Sequence, residues 1–165
     1  MDITALHDAH IALLDAATTV ADAGNATRVP AAGQWNADQI LAHVALVDAA
    51  TLAAAASVAA GANTTFDNRI ALDTWTIERM RSTSGGTTGL QRRIRSLGAS
   101  LCVLAGEVLT DVELDTVVPS LLLSNDQLLV NQPLTVRALI DGLADSELPG
   151  HTNQLLDLLG AACQT

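Results

Sequence analysis

The sequence predicts an all-α domain, an antiparallel four-helix bundle, and three observations support this. The composition is 49% hydrophobic but only 2% aromatic, with alanine abundant, which suits closely packed helices better than strands. Apolar residues recur at helical spacing in four long segments. The chain of 165 residues is long enough for one domain with a substantial core, and no repeat or flexible linker divides it. We therefore treat residues 1–165 as one bundle domain.

The first helix is predicted from about Thr4 to Ala23. An apolar stripe runs along it, and Gly24 with Asn25 supplies the end signal. This stripe contains Ile3, Leu6, His10, Leu13, Leu14, Ala17 and Val20.

The second helix has the clearest start signal. Asn36 is a natural N-cap, and Gln39 can complete a capping box with it. Trp35 and Ile40 fit a hydrophobic staple around this cap. The inward stripe of the helix is predicted to contain Ile40, His43, Val44, Val47, Thr51 and Ala54.

The middle of the chain is less regular. Phe66 to Arg81 has helical spacing, Ser82 to Gly89 reads as a break, and a third helix is predicted from Leu90 to Leu109. The core-facing residues of the third helix are predicted to be Leu90, Ile94, Leu97, Leu101, Leu104 and Val108. The apolar runs Val117 to Leu123 and Leu128 to Val130 fit either a small hairpin or an ordered loop.

The fourth helical region opens near Thr135 and carries apolar residues to the C-terminus. Pro149 and Gly150 interrupt it. The proline either kinks a continuous helix or lies in the first turn of a new helix capped by Ser146.

The charge balance argues against several partners. The formal net charge is -10 and the chain has no lysine, so neither nucleic acid nor an anionic membrane surface is an expected partner. The segment from Ala45 to Ala62 is interrupted by polar residues, so we do not expect it to span a membrane. Met1 to Asp8 does not resemble a secretory signal, and Cys102 and Cys163 are too few for a disulfide framework. A cytoplasmic location is expected.

Three residues point to metal chemistry. Glu147 and His151 are four residues apart, a spacing that places both side chains on one helix face. His43 on the second helix would supply another imidazole, completing a set of ligands for a zinc-like ion. Each residue also has a structural explanation: His43 as a hydrogen-bonded core histidine, Glu147 as a first-turn acid, and His151 as a solvated residue beside a kink.

Two segments resemble a known family. Trp35-Asn36-Ala37-Asp38-Gln39-Ile40-Leu41-Ala42-His43-Val44 resembles the second-helix motif of the DinB-like superfamily, and His151-Thr152-Asn153-Gln154-Leu155-Leu156 resembles its fourth-helix motif. The resemblance implies an up-down-down-up bundle with His43, Glu147 and His151 as metal ligands. The family's common triad is all histidine. Here Glu147 replaces the first histidine of the pair on the last helix, as in the mycothiol-dependent maleylpyruvate isomerases of this superfamily. The alanine-rich composition, with arginine in place of lysine, suits an actinobacterial protein of that branch.

The resemblance implies a divalent metal, zinc first and nickel second, and a thiol-dependent transferase or isomerase. Two imidazoles and one carboxylate leave a fourth position on the ion, for a low-molecular-weight thiol such as mycothiol or for water in a hydrolase. Weaker candidates for supporting the site or binding substrate are His10 and the arginines Arg79, Arg81 and Arg92. A partly buried histidine near a helix end is the alternative for His10, and a solvated helix face explains the three arginines at least as well.

Two alternatives belong to other functional classes. Pro149-Gly150 departs from the family pattern and favours a metal-free bundle that binds a small apolar ligand or a partner. The alanine-rich helices would also suit the interface of a structural homodimer.

Overall fold

A computed structural model describes residues 1–25, 33–124 and 127–160, and these residues are mostly helical. The helices are α1 (Thr4–Asp22), α2 (Ala37–Ala59), α3 (Arg69–Leu72), α4 (Thr74–Ser84), α5 (Thr87–Val103), α6 (Asp111–Leu114), α7 (Val136–Gly142) and α8 (Leu148–Gly160). The strands are β1 (Phe66–Asp67), β2 (Val117–Val118), β3 (Ser120–Ser124), β4 (Gln127–Asn131) and β5 (Leu134–Thr135). The predicted helical character is confirmed, and the strands are an addition to the all-α expectation.

The long helices share one core. α2 packs against α5, α4 and α8, while α1 packs against α5 and α8. Leucine and isoleucine fill the interior, as the apolar stripes predicted. The largest fully buried side chains include Leu6, Leu13, Ile40, Leu41, Leu90, Ile94, Leu101, Ile140, Leu148 and Leu155.

The capping box of α2 is confirmed. The Gln39 N–H donates to Oδ1 of Asn36 over 2.9 Å, and the Asn36 N–H donates to Oε1 of Gln39 over 3.0 Å. These bonds satisfy two donors that a helix start leaves without partners. They also fix where the helix begins, and hence which side chains its inner face carries.

The strands settle the alternative left open for residues 117–130. β3 and β4 form an antiparallel hairpin, β1 pairs in parallel with β3, and β2 pairs with β5. The sequence between Phe66 and Arg81 is correspondingly not one helix. It forms β1, α3 and α4, and Ile70 and Trp75 are 55% and 72% exposed. Strand pairing with a distant segment overrides the weak local helical pattern there.

A π-helical turn, Leu104–Val108, follows α5. Its extra residue shifts the side chains that follow around the helix axis. Val108 is therefore 54% exposed and Leu109 is buried, so the prediction that Val108 faces the core is wrong. The break predicted from Ser82 to Gly89 is shorter in the structure. Helix α4 continues to Ser84, and only Gly85 and Gly86 separate it from α5.

A second π-helical turn, Leu143–Glu147, joins α7 to α8 without interruption. The Leu148 N–H donates to the Leu143 carbonyl, five residues earlier. In a regular α-helix the Pro149 ring would meet the carbonyl four residues before it. The wide turn lies directly before the proline and accommodates it. Of the two predicted arrangements, the continuous helix is the one present, and Ser146 does not begin a new helix.

Helix α2 is long and apolar enough to cross a membrane by length and composition. In its most apolar 18-residue window, 67% of the residues are buried inside the fold, as in the central helix of a folded domain.

Candidate metal centre

His43 is held in one orientation inside the fold. Its side chain is 4% exposed, and Nδ1 lies 2.8 Å from the carbonyl oxygen of Ala71 in α3. A carbonyl only accepts hydrogen bonds, so Nδ1 must carry the hydrogen. The Trp35 ring lies beside the imidazole, with ring centroids 4.9 Å apart. Nε2 of His43 is thereby directed away from α3.

The fourth helical region brings the other two residues to that atom. Nε2 of His43 lies 2.9 Å from Oε1 of Glu147, and Nε2 of His151 lies 3.3 Å from the same oxygen. The His151 ring is oriented by Gln154, whose Oε1 lies 2.9 Å from Nδ1. The two imidazoles meet edge to face with centroids 4.7 Å apart.

The nitrogen and oxygen atoms of this arrangement converge on one point. Both Nδ1 atoms face acceptors, so in the neutral rings both Nε2 atoms present lone pairs to a carboxylate oxygen. A cation between the side chains would pair with these acceptors. Nitrogen and carboxylate ligands of this kind are those that zinc binds.

The distances suit a small ion. One ligand atom from each of His43, Glu147 and His151 lies within 4.8 Å of the others, so the three could hold a metal ion. Bonds of about 2.0–2.1 Å at tetrahedral angles place ligand atoms about 3.4 Å apart. Only small side-chain adjustments separate the present positions from that spacing.

Glu147 is electrostatically adapted to this position. Burial raises the pKa of its carboxyl group, but hydrogen bonds and charge attraction from His151 and His43 outweigh that effect. The net pKa lies well below the ordinary value for glutamate. The carboxylate is therefore ionised and available as a ligand across the physiological pH range.

A cavity of about 360 Å³ adjoins the three residues. Its wall combines the metal-binding candidates with Trp35, Leu72 and the β3–β4 hairpin. Asn68 secures the hairpin, because its amide accepts the Leu123 N–H and donates to the Leu123 carbonyl, each over 2.9 Å. These two bonds anchor β3 beside the cavity.

The weaker candidates lie elsewhere. Arg79 and Arg92 are exposed, and Arg81 pairs with Glu78 on its own helix. Among the described residues, the lining of the 360 Å³ cavity includes no arginine. The structure does not bring these arginines to the candidate metal centre.

His10 occupies a separate buried site. Its Nε2 lies 3.2 Å from both carboxylate oxygens of Asp48, and Nδ1 lies 2.9 Å from the Leu6 carbonyl. It has no hydrogen bond to His43, Glu147 or His151. The described structure places it in a pair between α1 and α2, more deeply buried and further from a helix end than the structural explanation expected.

Cysteine chemistry has no support in the described part of the chain. Burial, followed by the charge of Asp48, raises the pKa of the Cys102 thiol, which disfavours the reactive thiolate. Cys163 lies outside the described residues.

No family model, curated protein or solved structure matches this chain.

Sequence reasoning missed several residues that complete the site. The Ala71 carbonyl behind His43 and the bonds from the Asn68 amide to the hairpin depend on the tertiary fold, and local sequence carries no signal for either contact. Asp48 did carry a signal, because it is a carboxylate on a helix whose buried residues are mostly apolar. A buried acid on such a helix calls for a partner, and His10 is that partner.

Proposed function

We propose that this chain is a divalent-metal-binding protein, with His43, Glu147 and His151 as ligands. Zinc is the preferred ion and nickel the second. The supporting observation is the convergence of two Nε2 atoms on one oxygen of Glu147, with both Nδ1 atoms engaged by acceptors. This is the arrangement in which histidine ligands are usually oriented by partners behind them.

The proposed fold is the DinB-like four-helix bundle, with α1, α2, α5 and the continuous α7–α8 segment as its long helices. Its support is the pair of motifs around His43 and His151, together with the packing of these helices on one core. A cytoplasmic location, a small-molecule partner and a homodimer built on the alanine-rich helices belong to the same proposal.

The proposed activity is a thiol-dependent transfer or isomerisation. When bound, the ion would stabilise the anionic form of a thiol such as mycothiol, or of water, at neutral pH. The chain's own residues hold the site in shape. Ala71 and Gln154 orient the two imidazoles, Trp35 packs against His43, and the hairpin limits access of bulk water.

Metal content is the first test. Protein purified without an affinity tag is analysed for zinc and nickel beside His43→Ala and Glu147→Ala, with His7→Ala as the matched control because His7 is exposed on α1. We expect near-stoichiometric metal in the wild type and in His7→Ala, and loss in the other two variants. A metal-free wild type that gains no thermal stability from either ion would overturn the proposal and favour a metal-free ligand-binding or structural bundle.

A further inference from the structure

A second cavity, of about 250 Å³, also borders Glu147. The two cavities share four lining residues: Asn68, Leu122, Leu129 and Glu147. The same carboxylate therefore borders both spaces, and the hairpin covers both. We call the second cavity the side chamber.

The side chamber is apolar. Its remaining wall is supplied mainly by Val47, Phe66, Leu134, Leu139 and Leu143. The polar groups among its lining are largely engaged already. The Thr51 hydroxyl donates to the Val47 carbonyl over 2.9 Å, and both ends of the Asn68 amide bind Leu123. The chamber therefore offers contact area to an apolar group and little hydrogen bonding.

Its size suits a ring or a branched alkyl group. An apolar protein cavity of about 150 Å³ is large enough to hold benzene. The side chamber exceeds that volume. The 360 Å³ cavity is lined by the polar side chains of His43, His151 and Gln154, which do not line the side chamber. Polar and apolar groups of a bound molecule would therefore be recognised in two adjoining cavities.

We propose that the ligand of this protein is amphipathic, with a metal-directed polar head and an apolar group of about one ring that enters the side chamber. This inference rests on the proposed metal function for the head of the ligand, and on the side chamber alone for the apolar part. Leu122 and Leu129 line both cavities, so they would favour an apolar segment where the polar head joins the apolar group.

The test compares two zinc-binding probes on the zinc-loaded chain by calorimetry. Acetohydroxamate carries only the head, whereas 3-phenylpropanohydroxamate adds a phenyl group. We expect the phenyl-bearing probe to bind about 10- to 100-fold more tightly, the range that burial of one phenyl group supports. Equal affinities for the two probes would overturn the inference.

Ala138 lines the chamber on an exposed part of α7, so Ala138→Phe fills the space without disturbing the core. Ala138→Phe should abolish the tighter binding of 3-phenylpropanohydroxamate and leave the affinity for acetohydroxamate unchanged. Ala53→Phe, on an exposed position of α2, is the matched control and should keep the preference. Retention of the preference in Ala138→Phe would contradict the assignment to this chamber.

Toluene on the metal-free chain separates the two proposals. Saturable amide shifts around Val47, Leu139 and Leu143 in the wild type and in Ala53→Phe, but not in Ala138→Phe, support the chamber even if zinc does not bind. Failure of toluene to bind in the wild type would overturn the chamber while leaving the metal result intact.

Discussion

Nε2 of His43 lies 2.9 Å from Oε1 of Glu147, although 104 positions separate the two residues along the chain. The contact joins the second turn of α2 to the end of the π-helical turn before α8. Behind His43 stands the Ala71 carbonyl, and beyond Glu147 stands His151. These contacts therefore connect three parts of the chain in one polar cluster.

The residue behind His151 should tune metal affinity. Gln154→Met keeps the size of the side chain but removes the acceptor for Nδ1, so the imidazole loses its fixed orientation. We expect zinc affinity to fall about 10- to 100-fold, the usual effect of removing such a partner. Competition with a chromophoric chelator measures it. Gln91→Met, on a more distant helix, should leave the affinity unchanged, and an equal loss in both variants would show a general effect of the substitution.

Metal binding should be visible in tryptophan emission. The Trp35 ring lies 4.9 Å from the His43 ring, whereas Trp75 is 72% exposed on α4. Nickel is paramagnetic and quenches a nearby indole, so nickel titration should reduce the emission of Trp75→Phe, in which only Trp35 remains. The same titration of the Trp75→Phe, His43→Ala double variant should give no saturable change. Saturable quenching that persists without His43 would place the ion elsewhere.

Two helical glycines should respond in opposite directions to alanine. A Cβ at Gly98 would lie 2.7 Å from Cδ2 of His10, whereas a Cβ at Gly142 would have no neighbour within 4 Å. We expect Gly98→Ala to destabilise the fold by about 1–3 kcal/mol, because the clash exceeds the gain in helix propensity. Gly142→Ala should stabilise it by up to about 1 kcal/mol. Urea unfolding gives both values, and a stabilising Gly98→Ala would contradict the close packing of His10.

The buried pair of His10 and Asp48 should support the fold. Both nitrogens of His10 face acceptors, so the doubly protonated ring satisfies both contacts. Removing one partner of a buried pair leaves the other without compensation, and Asp48→Ala should cost about 3–5 kcal/mol in the free energy of unfolding. Asp8→Ala, at an exposed position, is the control and should cost little. A small loss in Asp48→Ala would show that the pair contributes no net stability.

The same pair should make stability depend on pH. Burial lowers the pKa of His10, but the hydrogen bond and charge of Asp48 and the Leu6 carbonyl outweigh it, so the net pKa is raised. The folded state then binds the proton more tightly than the unfolded state. The stability that protonated His10 contributes to the folded state is complete below the unfolded pKa of about 6.5. It is lost as the pH rises through the pKa of His10 in the folded state.

The measurement is urea unfolding of the metal-free chain from pH 6 to pH 9. The difference in stability between the wild type and His10→Gln should shrink as pH rises, while His7→Gln tracks the wild type throughout. If the difference in stability between the wild type and His10→Gln stays constant or grows as pH rises, the pKa of His10 is not raised by folding.

Local sequence determined much of the helical framework. Asn36 and Gln39 specify the start of α2, and the apolar stripes around Leu13, Ile40 and Ile94 specify which faces turn inward, since capping and periodicity act over a few residues. The three candidate ligands were also recognisable, because the spacing of Glu147 and His151 places them on one face whenever that stretch is helical.

Only the tertiary structure decided the rest. Phe66 joins a strand because Ser120 pairs with it, and Leu109 replaces Val108 in the core because a π-helical turn adds a residue. The partners of the buried polar groups also come from distant segments, as with Ala71 behind His43 and Asp48 beside His10. A buried polar group needs a hydrogen-bond partner. Which atom becomes that partner depends on how the helices and the hairpin pack, and no local sequence pattern encodes that packing.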